Sequence, residues 1–137
     1  MKVSDLAKNI VEFYEKISSW EHAVVKESGL TPAQMHTIEI VGHSEKIRMK
    51  DLAEKMGVTT GTLTVSVDKL EKKNLLKRVP HESDRRSYMI VLSDEGNILF
   101  KEHHKLHIQM TSELVSEMSL KEQNVFNSLI EKAIQNI

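Results

Sequence analysis

The sequence contains no cysteine, and this absence excludes several kinds of protein chemistry at once. Without thiols the chain has no disulfide framework, no thiolate metal ligands and no cysteine redox switch. A long hydrophobic run is also missing, since the opening stretch MKVSDLAKNIVEFYEK alternates charged and apolar side chains. Neither a signal peptide nor a membrane-spanning helix is therefore expected, and the sequence predicts a cytoplasmic protein without membrane contact.

Recognisable catalytic arrangements are absent as well. The chain shows no Ser-His-Asp order, no glycine loop of the kind that cradles phosphates, and no acidic pair suited to a cleft. A chain of 137 residues is the size of one domain, so we expect a single domain over residues 1–137. The sequence favours a binding protein over an enzyme.

The net charge of −1 hides a strong separation of charge along the chain. Residues 46–88 hold eleven Lys and Arg against six Asp and Glu, whereas the rest of the chain holds eight against fourteen. A basic segment of this kind is the electrostatic footprint expected of a phosphate-binding face. Residues 46–88 are therefore the candidate contact with nucleic acid.

Two helices that meet at a tight corner are predicted between Lys50 and Asn74. Gly57 can adopt the positive φ that ends the first helix, and Thr59 or Thr60 can cap the second. In the second helix Leu63, Val67 and Leu70 recur at core spacing. The opposite face carries short or polar side chains that fit the major groove. They are Thr60, Gly61, Thr62, Thr64, Val65 and Lys69.

A hairpin is predicted directly after this helix. Two apolar runs, one around Leu75–Val79 and one over Tyr88–Leu92, flank the polar segment PHESDRRS. Arg85 and Arg86 lie at its predicted tip, where an arginine can enter a narrow minor groove. Asp84 is expected to pair with a neighbouring arginine and hold its guanidinium in place. The hairpin therefore resembles a wing.

These stretches, VTTGTLTVSVDKLEKKNLLKR and ESDRRSYMIVLSDEG, resemble the MarR family of winged helix-turn-helix transcriptional regulators. The resemblance covers the whole chain and implies a homodimer that binds a palindromic operator in double-stranded DNA, with repression the expected outcome. It places base and phosphate contacts on Thr60, Thr62, Thr64 and Lys69, and wing contacts on Asp84, Arg85 and Arg86. The family usually has glycine at Asn74, but asparagine also tolerates the left-handed conformation.

The predicted fold is mainly α with a small β wing. The winged helix-turn-helix spans about residues 31–92, and amphipathic helices over about 4–28 and 94–137 flank it. Their apolar stripes exceed what a small winged part can cover, so we expect them to form a dimer interface. Ser93 and Ser119 are the predicted caps of the two C-terminal helices, the first running to about Met118, and Gly42 is expected to end the second helix of the chain.

A metal site is the first of two candidate sensor sites. His103 and His107 are four residues apart and point the same way from one helix, which is a spacing found among zinc ligands. His36, together with Glu21 or His22, could complete the set, since the zinc-responsive branch of the family has a similar one. The alternative is that His103 is a core or interface residue, because it shares a face with Leu99, Leu106 and Met110.

A pocket for a small organic effector is the second candidate. The stretch AQMHTIEIVG and the spacing in EHHKLH resemble the branch of the family that controls fatty-acid synthesis genes and responds to acylated carrier protein. A cleft of this kind would suit an apolar or amphipathic ligand, although the same residues also fit an ordinary core. The predicted lining residues are Trp20, Met35, His36, Glu39 and His107.

Overall fold

The computed structural model describes residues 1–84 and 86–137, which form six helices and three short strands. The elements are α1 (Val3–Ser28), α2 (Pro32–Ser44), β1 (Ile47–Arg48), α3 (Met49–Met56), α4 (Thr60–Lys72), β2 (Leu76–Pro80), β3 (Tyr88–Leu92), α5 (Asp94–Leu114) and α6 (Leu120–Gln135). The predicted fold class, mainly α with a small β wing, is confirmed. Among these residues no helix combines the length and apolar character needed to cross a bilayer.

The chain divides into two compact units, Met1–Phe100 and Lys101–Ile137. The first unit holds α1 to α4, the sheet and the first turns of α5, and its core draws side chains from each of α1 to α4 and from every strand. The second unit holds the rest of α5 and α6, and α6 has no buried residue. The core residues of the first unit are Val25, Leu30, Met35, Ile38, Val41, Ile47, Leu52, Ala53, Leu63, Val67, Leu70, Leu76 and Ile90.

The sheet is antiparallel and has the strand order β1-β3-β2. Strand β3 pairs along its whole length with β2, from Leu76 opposite Leu92 to Pro80 opposite Tyr88. The short β1 adds Ile47 opposite Ile90 on the other side. Ile47, Leu76 and Ile90 are buried, so the sheet packs one face on the helical core and leaves the hairpin tip in solvent.

The corner between α3 and α4 forms as predicted. Gly57 ends α3 with φ of 68°, and Thr59 caps α4 because its Oγ1 accepts a hydrogen bond from the Thr62 N–H at 3.2 Å. Leu63, Val67 and Leu70 are all buried. Asn74 takes the left-handed conformation after α4, with φ of 59°, which confirms that it can replace a glycine there.

The prediction that Gly42 ends α2 is wrong, because the helix continues to Ser44. A Cβ atom at Gly42 would overlap the Phe100 ring, so the glycine serves the packing of α5 on α2. The helix ends instead at Glu45, which has φ of 63° and ψ of −57°. The Lys46 N–H donates to the Ser44 carbonyl at 2.7 Å, which makes Glu45 the centre of a strained γ-turn.

The first turn of α5 is fixed to the turn that follows α4. Ser93 caps α5 as predicted, since its Oγ accepts from the Gly96 N–H at 3.0 Å. The same hydroxyl donates to the Asn74 carbonyl at 2.6 Å, and the Ser93 N–H donates to the Leu75 carbonyl at 3.0 Å. A Cβ atom at Gly96 would overlap that Leu75 carbonyl oxygen, so only glycine allows this approach.

Helix α5 is shorter than the predicted helix to Met118 and ends at Leu114. Ser116 accounts for the difference, because its Oγ donates to the Glu113 carbonyl at 2.8 Å and competes with continued helix. The amide of Gln123 then donates to the Met118 carbonyl at 3.0 Å. The predicted capping box of α6, between Ser119 and Glu122, is confirmed.

Candidate nucleic-acid interface

The outer face of α4 is fixed by the side chains on its inner face. Because Leu63, Val67 and Leu70 are buried, the helix can present only its other side to a partner. The four residues of α4 predicted to contact DNA all lie outside the core and are exposed to solvent. They are Thr60, Thr62, Thr64 and Lys69.

The hydroxyls on this face already have hydrogen bonds within the chain. Thr64 Oγ1 donates to the Thr60 carbonyl at 2.7 Å. Thr59 Oγ1 donates to Thr62 Oγ1 at 3.1 Å while it caps the helix. Thr62 keeps its own hydroxyl proton for an outside acceptor, whereas Thr64 has used its proton. The two threonines therefore differ in the hydrogen bonds that they can offer to a partner.

The wing tip places Asp84 and Arg86 in solvent, while the predicted contact Arg85 lies outside the described residues. The Asp84 carboxylate does not hold the Arg86 guanidinium through an ion pair; its Oδ1 accepts from the Arg86 backbone N–H at 2.9 Å. The Ser87 N–H donates to the Asp84 carbonyl at 3.2 Å. Asp84 thus shapes the turn, and the Arg86 side chain projects from it without an ion pair to Asp84.

The base of the wing is linked to β1 through His81. Its Nε2 lies 3.3 Å from Arg48 Nη2, and its Nδ1 lies 2.9 Å from Ser83 Oγ. The Ser83 backbone N–H also donates to Nδ1 at 3.2 Å, so His81 bridges Arg48 and Ser83. Sequence reasoning missed this contact because it depends on the pairing of β1 with β3.

A second missed feature is an ion-pair cluster between β2 and α4. Arg78 Nη2 lies 2.7 Å from Asp68 Oδ1, and Arg78 Nη1 lies 2.6 Å from Glu71 Oε1. The Arg78 side chain is only 27% exposed, so solvent weakens these ion pairs less than at an open surface, and the pair with Asp68 is also a hydrogen bond. The cluster holds β2 against α4. Asp68 and Glu71 are three residues apart and so lie on the same side of α4, which is the feature of the sequence that could have indicated a common cationic partner.

The residues predicted to line an effector pocket differ in burial. Met35 is buried and belongs to the core of the first unit. Trp20 and Glu39 are half-buried and His36 is exposed, all in the first unit, while the half-buried His107 belongs to the second. Met35 is therefore a core residue, which was the alternative predicted for these residues.

The predicted metal ligands also fall in both units. In the second unit His103 is buried, and its Nε2 lies 3.1 Å from Nε2 of the half-buried His107. The two imidazoles face each other, as their spacing predicts. In the first unit the carboxylate oxygens of Glu21 and Glu39 lie within 4.8 Å of each other, whereas His36 is exposed. Glu39 was assigned to the effector pocket and not to this set.

Comparison with known proteins agrees with this geometry. The sequence profile of the MarR family matches residues 30–88. The HTH-type transcriptional repressor MdtR of Bacillus subtilis is 31% identical over 100 residues, which are 73% of this chain. The match spans 64% of that repressor, which is less than two thirds of its length. The relatives found are named as transcriptional regulators and not as enzymes.

Two solved structures share the fold over nearly the whole chain. FabT of Streptococcus pneumoniae, crystallised in complex with DNA, superposes with a TM-score of 0.87 at 23% identity, over 98% of this chain and 96% of FabT. YusO of Bacillus subtilis gives a TM-score of 0.73 at 26% identity, over 98% of this chain and 96% of YusO. At 23% identity the likeness to FabT establishes the fold alone.

Gly61 provides the first test of this interface. A Cβ atom at Gly61 would meet no atom closer than Thr59 Oγ1 at 3.9 Å, so nothing inside the protein requires a glycine. Gly61→Ala should therefore raise the free energy of unfolding by about 0.5 kcal/mol, because alanine favours the helix. If a DNA backbone approaches this point, the same variant should bind DNA more weakly.

Urea unfolding and DNA titration of the variant measure the two effects separately. Gly96→Ala is the matched control, since its Cβ atom would overlap the Leu75 carbonyl and should lower stability by about 1–3 kcal/mol. A Gly61→Ala protein that binds DNA as tightly as the parent would show that no DNA backbone comes close to this turn.

Proposed function

Because residues 30–88 match the MarR family of winged helix-turn-helix regulators, we propose that the chain is such a regulator, which binds double-stranded DNA as a homodimer and represses transcription from a palindromic operator. One observation carries the proposal: the exposed face of α4 and the wing arginine Arg86 project from a segment that is basic overall, in an otherwise acidic chain. Repression is supported by the name of MdtR, a transcriptional repressor. DNA binding is supported by the crystallisation of FabT with DNA.

Each contact type has a distinct role in this proposal. Lys69 and the wing arginines hold phosphates or the minor groove and so position the protein. Thr60, Thr62 and Thr64 lie on the helix that enters the major groove, where sequence is read. The ion pairs of Arg78 keep the two elements at a fixed angle. Helix and wing therefore engage one half-site as a rigid pair.

The homodimer is supported by apolar side chains that each unit leaves uncovered. On α1, Ile10 is 58% exposed, and on α6, Ile134 is 66% exposed. No residue of α6 is buried. Apolar stripes of this extent are typical of a surface that a partner covers. A second copy, contacting through residues 1–28 and 94–137, satisfies both stripes and gives the two-fold symmetry that a palindrome requires.

An effector acts in this scheme by shifting the spacing of the two recognition helices. A ligand that binds one spacing more tightly changes the population of DNA-competent dimers. Helix α5 is the element that can carry such a shift to α4. It is fixed to the turn after α4 through Ser93, and its Phe100 ring lies against Gly42 of α2.

A zinc-responsive form of this regulator is favoured by one specific observation. His103 and His107 place two imidazole nitrogens 3.1 Å apart, and one of the two histidines is buried. Neutral imidazoles are common zinc ligands, and a helix that presents two of them four residues apart can supply half of a tetrahedral site. We propose this pair as the histidine ligands of such a sensor.

The dimer is tested by Ile134→Glu. A carboxylate at this exposed apolar position cannot be buried without a large cost, so the variant should become a monomer at micromolar concentration. Light scattering measures the mass. Lys132→Glu, which introduces the same side chain on the same helix, should remain a dimer. A parent protein that is a folded monomer at this concentration would exclude the proposed assembly.

The wing is tested by Arg86→Ala in DNA titrations over a salt series. Loss of one guanidinium per wing should weaken binding by about 1–3 kcal/mol for each lost contact and reduce the salt slope by about 1 per wing. Lys101→Ala removes the same charge in the second unit and should change neither quantity. If Lys101→Ala costs as much affinity as Arg86→Ala, the DNA face lies elsewhere on the protein.

The zinc form is tested by metal content after equilibration with zinc and removal of the excess. His103→Ala and His107→Ala should each lose stoichiometric uptake, because a four-ligand site does not survive the loss of one imidazole. His104→Ala removes an exposed histidine from the same helix and should bind like the parent. Zinc binding that persists in both variants, or is absent in the parent, would contradict the site.

A further inference from the structure

The centre of the outer face of α4 is an aliphatic side chain, Val65. At about 100° per residue, Val65 lies opposite Leu63 and Val67 on the helix. It is 56% exposed. A single exposed valine is ordinary on a protein surface, so the meaning of Val65 depends on its neighbours.

The residues next to Val65 on this face leave space for a partner molecule. Gly61, one turn before Val65 on the same side, has no side chain, and a Cβ atom there would meet nothing closer than 3.9 Å. Lys69, one turn after Val65, is an exposed cation. Val65 therefore lies between Gly61, where a partner can come close to the helix backbone, and Lys69, whose positive charge can bind a phosphate.

Thr64, beside Val65, presents its methyl group more readily than a hydroxyl proton. Its Oγ1 donates to the Thr60 carbonyl at 2.7 Å, so the hydroxyl proton is already used within the helix. The oxygen can still accept, but it cannot donate to the acceptors on a guanine edge. With Val65 it forms a mainly aliphatic patch on the part of α4 that faces outward.

We propose that Val65, with the methyl of Thr64 beside it, is a specificity-determining residue that contacts the C5-methyl group of a thymine in each operator half-site. This inference rests on the proposed DNA-binding function. Thymine alone among the four bases presents a methyl group in the major groove. Contact between the aliphatic patch and this methyl group removes both apolar surfaces from water, which favours binding. A cytosine at the same position has no methyl group to bury.

The experiment removes one methyl group from the DNA and one aliphatic side chain from the protein. Duplexes that the parent selects from a random library are resynthesised with deoxyuridine in place of thymidine, one symmetric pair of positions at a time. At one position the parent should lose about fourfold in affinity for each methyl group removed, or about fifteenfold for both half-sites. Fluorescence anisotropy measures each dissociation constant.

Val65→Ala should lose most of the difference between the thymidine and deoxyuridine duplexes at that position and be as sensitive as the parent at every other position. Val65→Ile, which keeps the aliphatic surface, should retain the deoxyuridine penalty. Val58→Ala is the matched control: Val58 is also exposed but lies in the corner before α4, so this variant should keep the penalty of the parent. Thermal unfolding confirms that each variant is folded.

Thr64 separates a methyl contact from a hydroxyl contact. Thr64→Val keeps the methyl group and should bind the selected duplex as the parent does, whereas Thr64→Ser keeps the hydroxyl and should bind more weakly. The reverse order would show that the hydroxyl is the reading group and would overturn the role of Thr64.

The outcomes distinguish this inference from the function on which it rests. A parent that selects a duplex but tolerates deoxyuridine at every position binds DNA without the proposed contact. A Val65→Ala variant that keeps the penalty assigns the methyl contact to another residue. A parent that selects no duplex from the library overturns the DNA-binding function, and the inference with it.

Discussion

The burial of Leu63, Val67 and Leu70 is the constraint on which the rest of the interface depends. Three aliphatic side chains on one side of α4 fix its rotation about its own axis, since any other rotation would bring them into water. This rotation decides that Val65 faces outward. A single polar substitution among the three should therefore disturb the outer face of α4, the proposed DNA contact, without changing any residue on it.

Fixing the rotation of α4 does not fix its angle to the wing, and hydrogen bonds and ion pairs supply that second constraint. Arg78 joins β2 to α4 through two carboxylates, and Ser93 joins the turn after α4 to the start of α5. The Arg78 pairs join elements that are adjacent in the chain, whereas Ser93 and Asn74 are 19 residues apart. Side-chain ion pairs and hydrogen bonds therefore hold α4, β2 and the start of α5 to one another.

Periodicity and turn chemistry predicted the elements because both act over a few residues. The corner at Gly57, the caps at Thr59 and Ser119 and the core face of α4 all follow from such short-range rules. The predicted end of α2 was wrong because Gly42 is needed for close packing against Phe100, which is far away in the sequence. The contacts of Arg78 and His81 were missed because they also join residues that are distant in the sequence. The hydrogen bond from the Thr64 hydroxyl to its own helix could not be predicted either, because it depends on side-chain geometry.

The exposed residues of α4 have low helix propensity, which is a feature expected of a surface that contacts a partner. Gly61, Thr62, Thr64 and Val65 are all weaker helix formers than alanine, leucine or lysine, and all four are exposed. None of them is explained by packing inside the first unit, since all lie outside its core cluster. Residues that break a local preference without an internal gain mark functional surfaces. These four residues lie on the outer face of α4, beside the wing, which is the surface proposed to contact DNA.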